Sequence, residues 1–213
     1  MPIDIPPLTF GNFYHIYNRG NNHEDIFLEE RNYAYFLNLW WKHTGPIAET
    51  WAYCLLRNHF HVVVYIKDKE DLAKDMNVAA EDLNIENLRG LKTDLSGFRD
   101  PSKYFSNFFN AYARGFNIST KRSGALFERP FKRIPVGSTT YLMQLIVYIH
   151  QNPQKHRFTE DFRKWKHSSY QVLTSDMPSS LQREKVMKLF GSMEDFVRIH
   201  QEIQPWSGLE DVE

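Results

Sequence analysis

The chain has 213 residues, of which 42% are hydrophobic and 15% aromatic, a composition that supports a packed core and disfavours global disorder. Its 26 basic and 26 acidic residues balance, which argues against a protein that coats nucleic acid through net charge alone. The single cysteine, Cys54, excludes an intrachain disulfide and a cysteine-based zinc site. Because the sequence has neither a signal-peptide pattern at Met1 nor an apolar stretch long enough to span a bilayer, we expect a cytoplasmic protein.

The balanced total conceals an uneven distribution of charge along the chain. Residues 101–135 contain seven basic side chains and one acidic side chain. Residues 68–100 contain nine acids and five bases, and residues 171–213 contain eight acids and four bases. The basic middle is typical either of a solvated face or of a surface that binds nucleic acid phosphates.

The first part of the chain predicts a strand, a helix and a hairpin in succession. Residues 13–18 are aromatic and β-branched, which favours a strand. Residues 29–43 carry apolar side chains at helical spacing. The strand-like runs 49–56 and 59–66 are separated by two residues, as in a tight hairpin.

An acidic insertion is expected next. Residues 68–100 lack strong periodicity apart from a short helix near residues 79–88. Asp100 as N-cap and Pro101 as first helical residue then predict a helix that ends near Asn117.

The basic middle leads into a final predicted helix. Residues 124–135 indicate a turn followed by a short strand. Ser138 or Thr139 is the expected N-cap of a helix that runs to about Asn152 and is stopped by Pro153.

This order of elements predicts an α+β fold, a ferredoxin-like antiparallel sheet with helices packed on it. We expect one domain over residues 1–213, with the acidic insertion at 68–100 and a peripheral C-terminal tail at 171–213.

His59 and His61 form the first candidate site. Side chains alternate across a strand, so both imidazoles project from one face while Phe60 projects from the other. Two imidazoles at this spacing can chelate one divalent metal ion. The alternative is a pair of histidines in a half-buried strand without a ligand.

Tyr148 and Asn152 form the second candidate site. Four residues apart on a helix, they lie on one side of it, displaced by roughly 100° from the centre of the apolar stripe, which predicts a place at the edge of the buried surface. This arrangement suits a phenol that attacks and an amide that helps to hold a metal ion. The alternative is a core-edge tyrosine with a C-terminal capping asparagine.

A third feature mixes aromatic rings with cations, as in surfaces on which single-stranded nucleic acid stacks its bases and pairs its phosphates. The alternative is a strand with one buried and one solvated face. The candidate DNA-binding residues are Lys121, Arg122, Phe127, Arg129, Phe131, Lys132 and Arg133.

The order of these motifs resembles the REP-associated tyrosine transposase family, a branch of the single-tyrosine HUH transposases (HUH: histidine, bulky hydrophobe, histidine). The resemblance spans residues 13 to 170. It rests on the segments YHIYNRGNNHEDIF, AYCLLRNHFHVVV, GALFERPFKR, YIHQNPQKH and WKHSSY. A departure lies before the first histidine, where Arg57-Asn58 stands and relatives often carry proline with asparagine or glutamate.

The resemblance implies an HUH endonuclease fold and a role for each motif residue. His59, His61 and Asn152 would hold Mg²⁺ or Mn²⁺, and Tyr148 would be the nucleophile that forms a 5′-phosphotyrosine link. Two imidazoles and an amide form a neutral donor set, so we expect weak metal occupancy without DNA. The implied substrate is single-stranded DNA that carries a hairpin or a palindromic repeat.

The expected function is therefore a transposase-like endonuclease and strand transferase for single-stranded DNA, located in the cytoplasm at the nucleoid. Because one tyrosine performs one cleavage at a time, cutting two ends needs a homodimer or two sequential events. Two other functions stay open: a domesticated hairpin-binding protein without cleavage, and a metal-dependent hydrolase that activates water. The hydrolase would tolerate Tyr148→Phe, whereas the transposase would not.

Overall fold

One antiparallel sheet organises the computed structural model, which describes residues 5–76 and 100–202. Its four strands are hydrogen-bonded in the order β2-β3-β1-β4. The strands are β1 (Asn12–Arg19), β2 (Ala48–Leu55), β3 (His59–Ile66) and β4 (Lys132–Val136). This spatial order and the strand–helix alternation confirm the predicted α+β, ferredoxin-like fold class.

Seven α-helices lie within the two described ranges. They are α1 (Glu30–Thr44), α2 (Lys69–Met76), α3 (Pro101–Thr120), α4 (Thr139–Lys155), α5 (Ser169–Leu173), α6 (Arg183–Phe190) and α7 (Met193–Glu202). No helix of these ranges has the length and apolar character needed to cross a membrane. The helix expected near residues 79–88 lies outside the described residues.

Strand β3 lies at the centre of the fold because both of its faces are covered. It pairs with β1 on one side and with β2 on the other. On one face the buried ring of Phe60 packs edge-on against Phe36 of α1. On the opposite face His61 contacts the ring of Tyr148 in α4. The central strand therefore presents its histidines toward helix α4.

The ends of α3 follow from its sequence. The Asp100 side chain accepts a hydrogen bond from the backbone N–H of Ser102, and Pro101 occupies the first turn, as predicted. The helix continues to Thr120, three residues beyond the expected end. It stops at Lys121, whose left-handed backbone (φ 55°) turns the chain out of the helix.

The predicted end of the last helix at Asn152 is wrong. Helix α4 passes through Pro153 and ends at Lys155. Proline lacks the N–H that would donate to the carbonyl one turn earlier, so the helix loses a hydrogen bond there. The next donor is intact: the N–H of His156 bonds to the carbonyl of Asn152 at 3.0 Å. Because Pro153 lies near the end of α4, the missing hydrogen bond does not stop the helix at the proline.

Helix α4 is covered on a second side by the C-terminal helices. Gln151 donates a hydrogen bond from its amide to the backbone carbonyl of His200 in α7, at 2.8 Å. The imidazoles of His150 and His200 bond to each other at 2.8 Å. Helix α4 is thus held between the sheet and α7.

Candidate active site

The two histidines of the HUH motif lie together at the start of β3. Their ring centroids are 5.3 Å apart and the rings are nearly perpendicular. Both rings line a cavity of about 280 Å³, here called the histidine cavity. The cavity is lined by Tyr17, Asn18, Arg19, His23, Asn58, His59, Phe60, His61, Lys132, His156 and Phe158.

A third histidine holds His61 in place. Nε2 of His15 lies 2.9 Å from Nδ1 of His61, and the two rings stack at 5.1 Å. Burial lowers the pKa of His15 to about 3. Burial, followed by the positive charge of neighbouring groups led by His15, lowers the pKa of His61 well below its usual range. Both rings are therefore neutral at pH 7, and one N–H lies between them.

This hydrogen bond occupies Nδ1 of His61, so Nε2 is the ring nitrogen left for a ligand. When the N–H on Nδ1 of His61 donates to His15, Nε2 of His61 carries a lone pair. That Nε2 atom is buried and has no hydrogen-bond partner among the described residues. Leaving a buried polar atom unpaired costs about 1–3 kcal/mol, so such an atom marks a place where a ligand improves the energy.

The side chain of Asn152 is also buried without hydrogen-bond partners among the described residues. Its side chain is fully buried, and neither its amide nitrogen nor its amide oxygen has a hydrogen-bond partner within the described ranges. An imidazole nitrogen and an amide oxygen are both ligands of divalent cations. The donor set of His59, His61 and Asn152 therefore fits a divalent metal ion. Within the described ranges, no group of three His, Cys, Asp or Glu side chains is arranged to hold one.

Tyr148 lies beside this donor set. Its ring centroid is 5.9 Å from that of His61, in an edge-on arrangement, and the Lys155 ammonium lies 5.3 Å from the centre of the phenol ring. Tyr148, Asn152 and Lys155 lie on one face of α4 because they are spaced by four and three residues. The structure thus brings the predicted nucleophile next to one of the predicted ligands, His61.

The burial of Tyr148 differs from the sequence-based expectation. We expected the edge of the buried surface, but only 1% of the side chain is exposed. The reason is the packing of α4 on the sheet, where the Tyr148 ring contacts His61 of β3, and the helical periodicity of α4 alone does not reveal this packing. Tyr148 is not among the residues that line the histidine cavity, so its hydroxyl reaches a bound phosphate only after a rearrangement of this face.

One of the seven predicted DNA-binding residues, Lys132, lies at the histidine cavity, whereas Arg129, Phe131 and Arg133 line a separate cavity beside α3. Lys132 lines the histidine cavity with its ammonium 3.2 Å from Glu128. Arg133 donates from Nε to the carbonyl of Pro6 at 2.6 Å and lies over the ring of Phe131. Arg129 is exposed. Lys132 therefore places positive charge next to the histidines, whereas Arg133, which pairs with Ile16, lies on the opposite face of the sheet.

The other three predicted DNA-binding residues have different surroundings. Arg122 pairs with Glu24 at 2.6 Å and donates to backbone carbonyls of the following loop, so it fixes that loop. Phe127 is buried and its ring packs edge-on against Phe109. Lys121 is exposed at the end of α3. The structure does not bring Lys121 or Arg122 to the histidine cavity.

Three further residues of this site were not predicted from the sequence: His15, Tyr17 and His156. Tyr17 stacks on His15 at 4.8 Å, and the ring of His156 lies 5.1 Å from that of His59. His15 and Tyr17 alternate on β1 and so share a face, a signal that the sequence carries. That this face meets His61 follows from the β1–β3 register, in which Tyr17 pairs with His61.

Comparison with known proteins supports the fold. No protein-family model and no curated protein matches the chain. A solved structure of a REP-associated tyrosine transposase bound to a REP hairpin matches it with a TM-score of 0.57 and 15% sequence identity. The match covers 84% of this chain and 89% of the transposase chain. At this identity the likeness shows a shared α+β fold.

Proposed function

We propose that this protein is a metal-dependent DNA nicking and joining enzyme of the single-tyrosine transposase type, acting on single-stranded DNA beside a hairpin. The observation that carries the proposal is the contact of Tyr148 with His61. The Nε2 atom of His61 is buried and lacks a hydrogen-bond partner among the described residues. The shared fold with a hairpin-bound transposase supports it.

The donor set fits Mg²⁺ or Mn²⁺, held by His59, His61 and Asn152. When bound, such an ion polarises the scissile phosphate and stabilises the charge that develops on it. Lys132, in the cavity wall, adds a positive charge for the same phosphate. His15 fixes the ring of His61 through the 2.9 Å hydrogen bond.

In the proposed reaction the phenol oxygen of Tyr148 bonds to phosphorus, and the bond from phosphorus to the 3′ oxygen breaks. The phenol loses its proton, and the departing 3′ oxygen gains one and becomes a hydroxyl. The ammonium of Lys155 lies over the phenol ring, 5.3 Å from its centre, and adds positive charge beside the attacking group. Because the phosphotyrosine link preserves a phosphodiester, a second 3′ hydroxyl can reverse the step and join a new strand without ATP.

A second tyrosine competes for the role of nucleophile. Tyr17 lines the histidine cavity and its ring stacks on that of His61 at 5.8 Å. Burial and the neighbouring Tyr141 raise the pKa of the Tyr17 phenol, which disfavours its phenolate, although Arg19 lowers that pKa. Tyr17 therefore supplies the matched control for Tyr148.

A hairpin-binding protein without cleavage is the second candidate function. The observation that favours it is the burial of Tyr148, of which 1% is exposed. A catalytic enzyme must pass through a conformation in which the hydroxyl meets the phosphate, whereas a binding protein needs no such step.

The test is incubation of end-labelled hairpin oligonucleotides that carry single-stranded flanks with the protein and Mn²⁺, followed by a denaturing gel. We expect a slowly migrating protein–DNA adduct with the unaltered protein and with Tyr17→Phe, and none with Tyr148→Phe or His61→Ala. Free cleaved DNA that persists in Tyr148→Phe would establish a hydrolase instead. Tight binding without cleavage over a panel of hairpins would favour the second candidate.

A further inference from the structure

The turn that precedes β3 is held by hydrogen bonds to the segment between β1 and α1. The backbone carbonyl of Arg57 accepts from the N–H groups of Ile26 and Phe27, at 2.8 and 3.0 Å. The backbone carbonyl of Asn58 accepts from the N–H of Gly20, at 2.9 Å. These bonds fix the part of the backbone from which the Asn58 side chain projects.

The Asn58 side chain meets the ring of His59. Its Oδ1 atom lies 2.7 Å from Nδ1 of His59, and both residues line the histidine cavity. An amide oxygen accepts hydrogen bonds and cannot donate them, so Nδ1 of His59 carries the N–H and donates it. In a neutral imidazole the other nitrogen then carries a lone pair. That nitrogen, Nε2 of His59, is buried.

His59 and His61 thus use the same ring atom, Nδ1, to meet two chemically different partners. The partner of His61 is the imidazole of His15, at 2.9 Å. An imidazole nitrogen accepts or donates according to its own tautomer, whereas the oxygen of Asn58 only accepts. Of the two partners, Asn58 is therefore the one whose own chemistry decides which nitrogen of its histidine carries the proton.

We infer that Asn58 is a positioning residue of the proposed metal site: it keeps the N–H of His59 on Nδ1, so that Nε2 stays available as a ligand atom for a divalent cation. The inference rests on the proposed function and adds a residue to its site. A histidine that binds a metal ion through one nitrogen generally donates its other N–H to an acceptor, which fixes both the tautomer and the orientation of the ring.

The first measurement locates the N–H of His59 by NMR of the ring nitrogens, without metal and without DNA, at about pH 8, above the ordinary pKa of histidine. The spectrum of His59→Gln identifies the signals. We expect a protonated Nδ1 and an unprotonated Nε2 in the unaltered protein. Asn58→Leu accepts no hydrogen bond, so the Nε2 signal should move toward that of a protonated nitrogen. Asn58→Asp restores an acceptor and should return the signal.

The second measurement is the Mn²⁺ affinity of the same proteins without DNA, from the loss of the EPR signal of the free ion. Asn58→Leu should weaken Mn²⁺ binding about 10–100-fold, the usual range for a residue that orients a metal-bound histidine. Asn58→Asp should bind Mn²⁺ at least as tightly as the unaltered protein. Arg57→Ala is the matched control in the same turn: its exposed side chain pairs with Asp25 and does not line the cavity, so both the affinity and the tautomer should be retained.

Two results would overturn the inference. One is an N–H on Nε2 of His59 in the unaltered protein, and the other is an unchanged Mn²⁺ affinity in a folded Asn58→Leu variant. The NMR signals of His150 and His200, which bond to each other away from the cavity, report whether the variant is folded. If Asn58→Leu does not fold, Asn58→Ala takes its place.

Failure of this inference is distinguishable from failure of the proposed function, because neither measurement depends on cleavage. A DNA adduct on Tyr148 together with either overturning result rejects the role of Asn58 alone. The expected tautomer and Mn²⁺ affinities without an adduct on any hairpin reject the enzyme alone. Absence of Mn²⁺ binding to the unaltered protein rejects both the metal site and the role of Asn58.

Discussion

Two pairs of buried histidines in this protein look alike but differ in how their nitrogen atoms are satisfied. In the pair at the histidine cavity, His15 and His61 share one hydrogen bond of 2.9 Å. Nδ1 of His15 and Nε2 of His61 have no hydrogen-bond partner among the residues that the structure describes.

In the second pair, between α4 and α7, every ring nitrogen has a hydrogen-bond partner. His150 and His200 share a bond of 2.8 Å, and the other nitrogen of His150 lies 2.7 Å from the hydroxyl of Ser169. The second nitrogen of His200 lies 2.7 Å from the carbonyl of Phe196. Burial lowers the pKa of all four rings, so burial and pKa alone do not separate a site from a core. The unpaired nitrogens of His15 and His61 separate the two cases, because buried polar atoms in a protein core normally have hydrogen-bond partners.

The largest expected difference between the two pairs is in cleavage. His61→Ala removes a proposed ligand and should lower the rate of adduct formation by at least about 10²-fold, a typical cost of deleting one group that stabilises transition-state charge. His200→Ala should leave the rate per folded molecule unchanged. Single-turnover gels with both variants, normalised to the folded fraction, measure this. Equal losses would mean that the two pairs do not differ in function.

The free energy of unfolding should fall more when His200 is replaced than when His61 is replaced. His200→Leu leaves a nitrogen of His150 buried without its partner and should lower the free energy of unfolding by about 2–4 kcal/mol. His61→Leu leaves Nε2 of His15 without its partner but also removes the unpaired Nε2 of His61, so the two effects offset and the net cost should stay below about 1 kcal/mol. Urea denaturation at pH 7.5 without metal measures both. A more damaging His61→Leu would show that the cavity pair is the structural one.

The complete pair should also govern part of the pH dependence of stability. Burial lowers the pKa of His200 to about 4 in the folded protein, whereas an unfolded histidine titrates near about 6.5. The neutral ring therefore contributes stability that is fully present above pH 6.5 and is lost as the pH falls toward 4, at most about 3 kcal/mol. Urea denaturation of His200→Leu across this range should show a shallower loss than the unaltered protein. An unchanged pH slope would contradict the assignment.

The smallest expected effect is stabilisation by metal. Mn²⁺ at ten times its dissociation constant should stabilise the fold by about 1.4 kcal/mol, and His200→Leu should retain this increment. His15→Leu should lower Mn²⁺ affinity roughly tenfold, because His15 orients the ring of His61, and His15→Gln should restore part of it. Thermal unfolding at increasing Mn²⁺ concentrations without DNA measures this. Full Mn²⁺ stabilisation of His61→Leu would place the ion elsewhere.

The sequence predicts the parts of this comparison that depend on local geometry. The alternation of His59 and His61 on one strand, and the spacing of Tyr148 and Asn152 on one helix, need no knowledge of the tertiary fold. The order of the secondary structure elements also suffices for the ferredoxin-like topology.

The other features of the site depend on contacts between segments far apart in the chain. The bond between His15 and His61 exists because of the β1–β3 register. The burial of Tyr148 depends on the packing of α4 against the sheet, where its ring contacts His61. The role of Arg122 in fixing a loop comes from its pairing with Glu24, almost a hundred residues earlier. Periodicity within a single element carries no information about such partners.

The measurement that tests the central claim most directly is identification of the residue that carries the DNA. Adducts formed with a hairpin oligonucleotide and Mn²⁺ would be digested with nuclease and protease and analysed by tandem mass spectrometry. The account predicts a nucleotide mass on the phenol of Tyr148. A nucleotide on Tyr17, whose ring already lines the cavity, or cleaved DNA without any protein adduct, would contradict it.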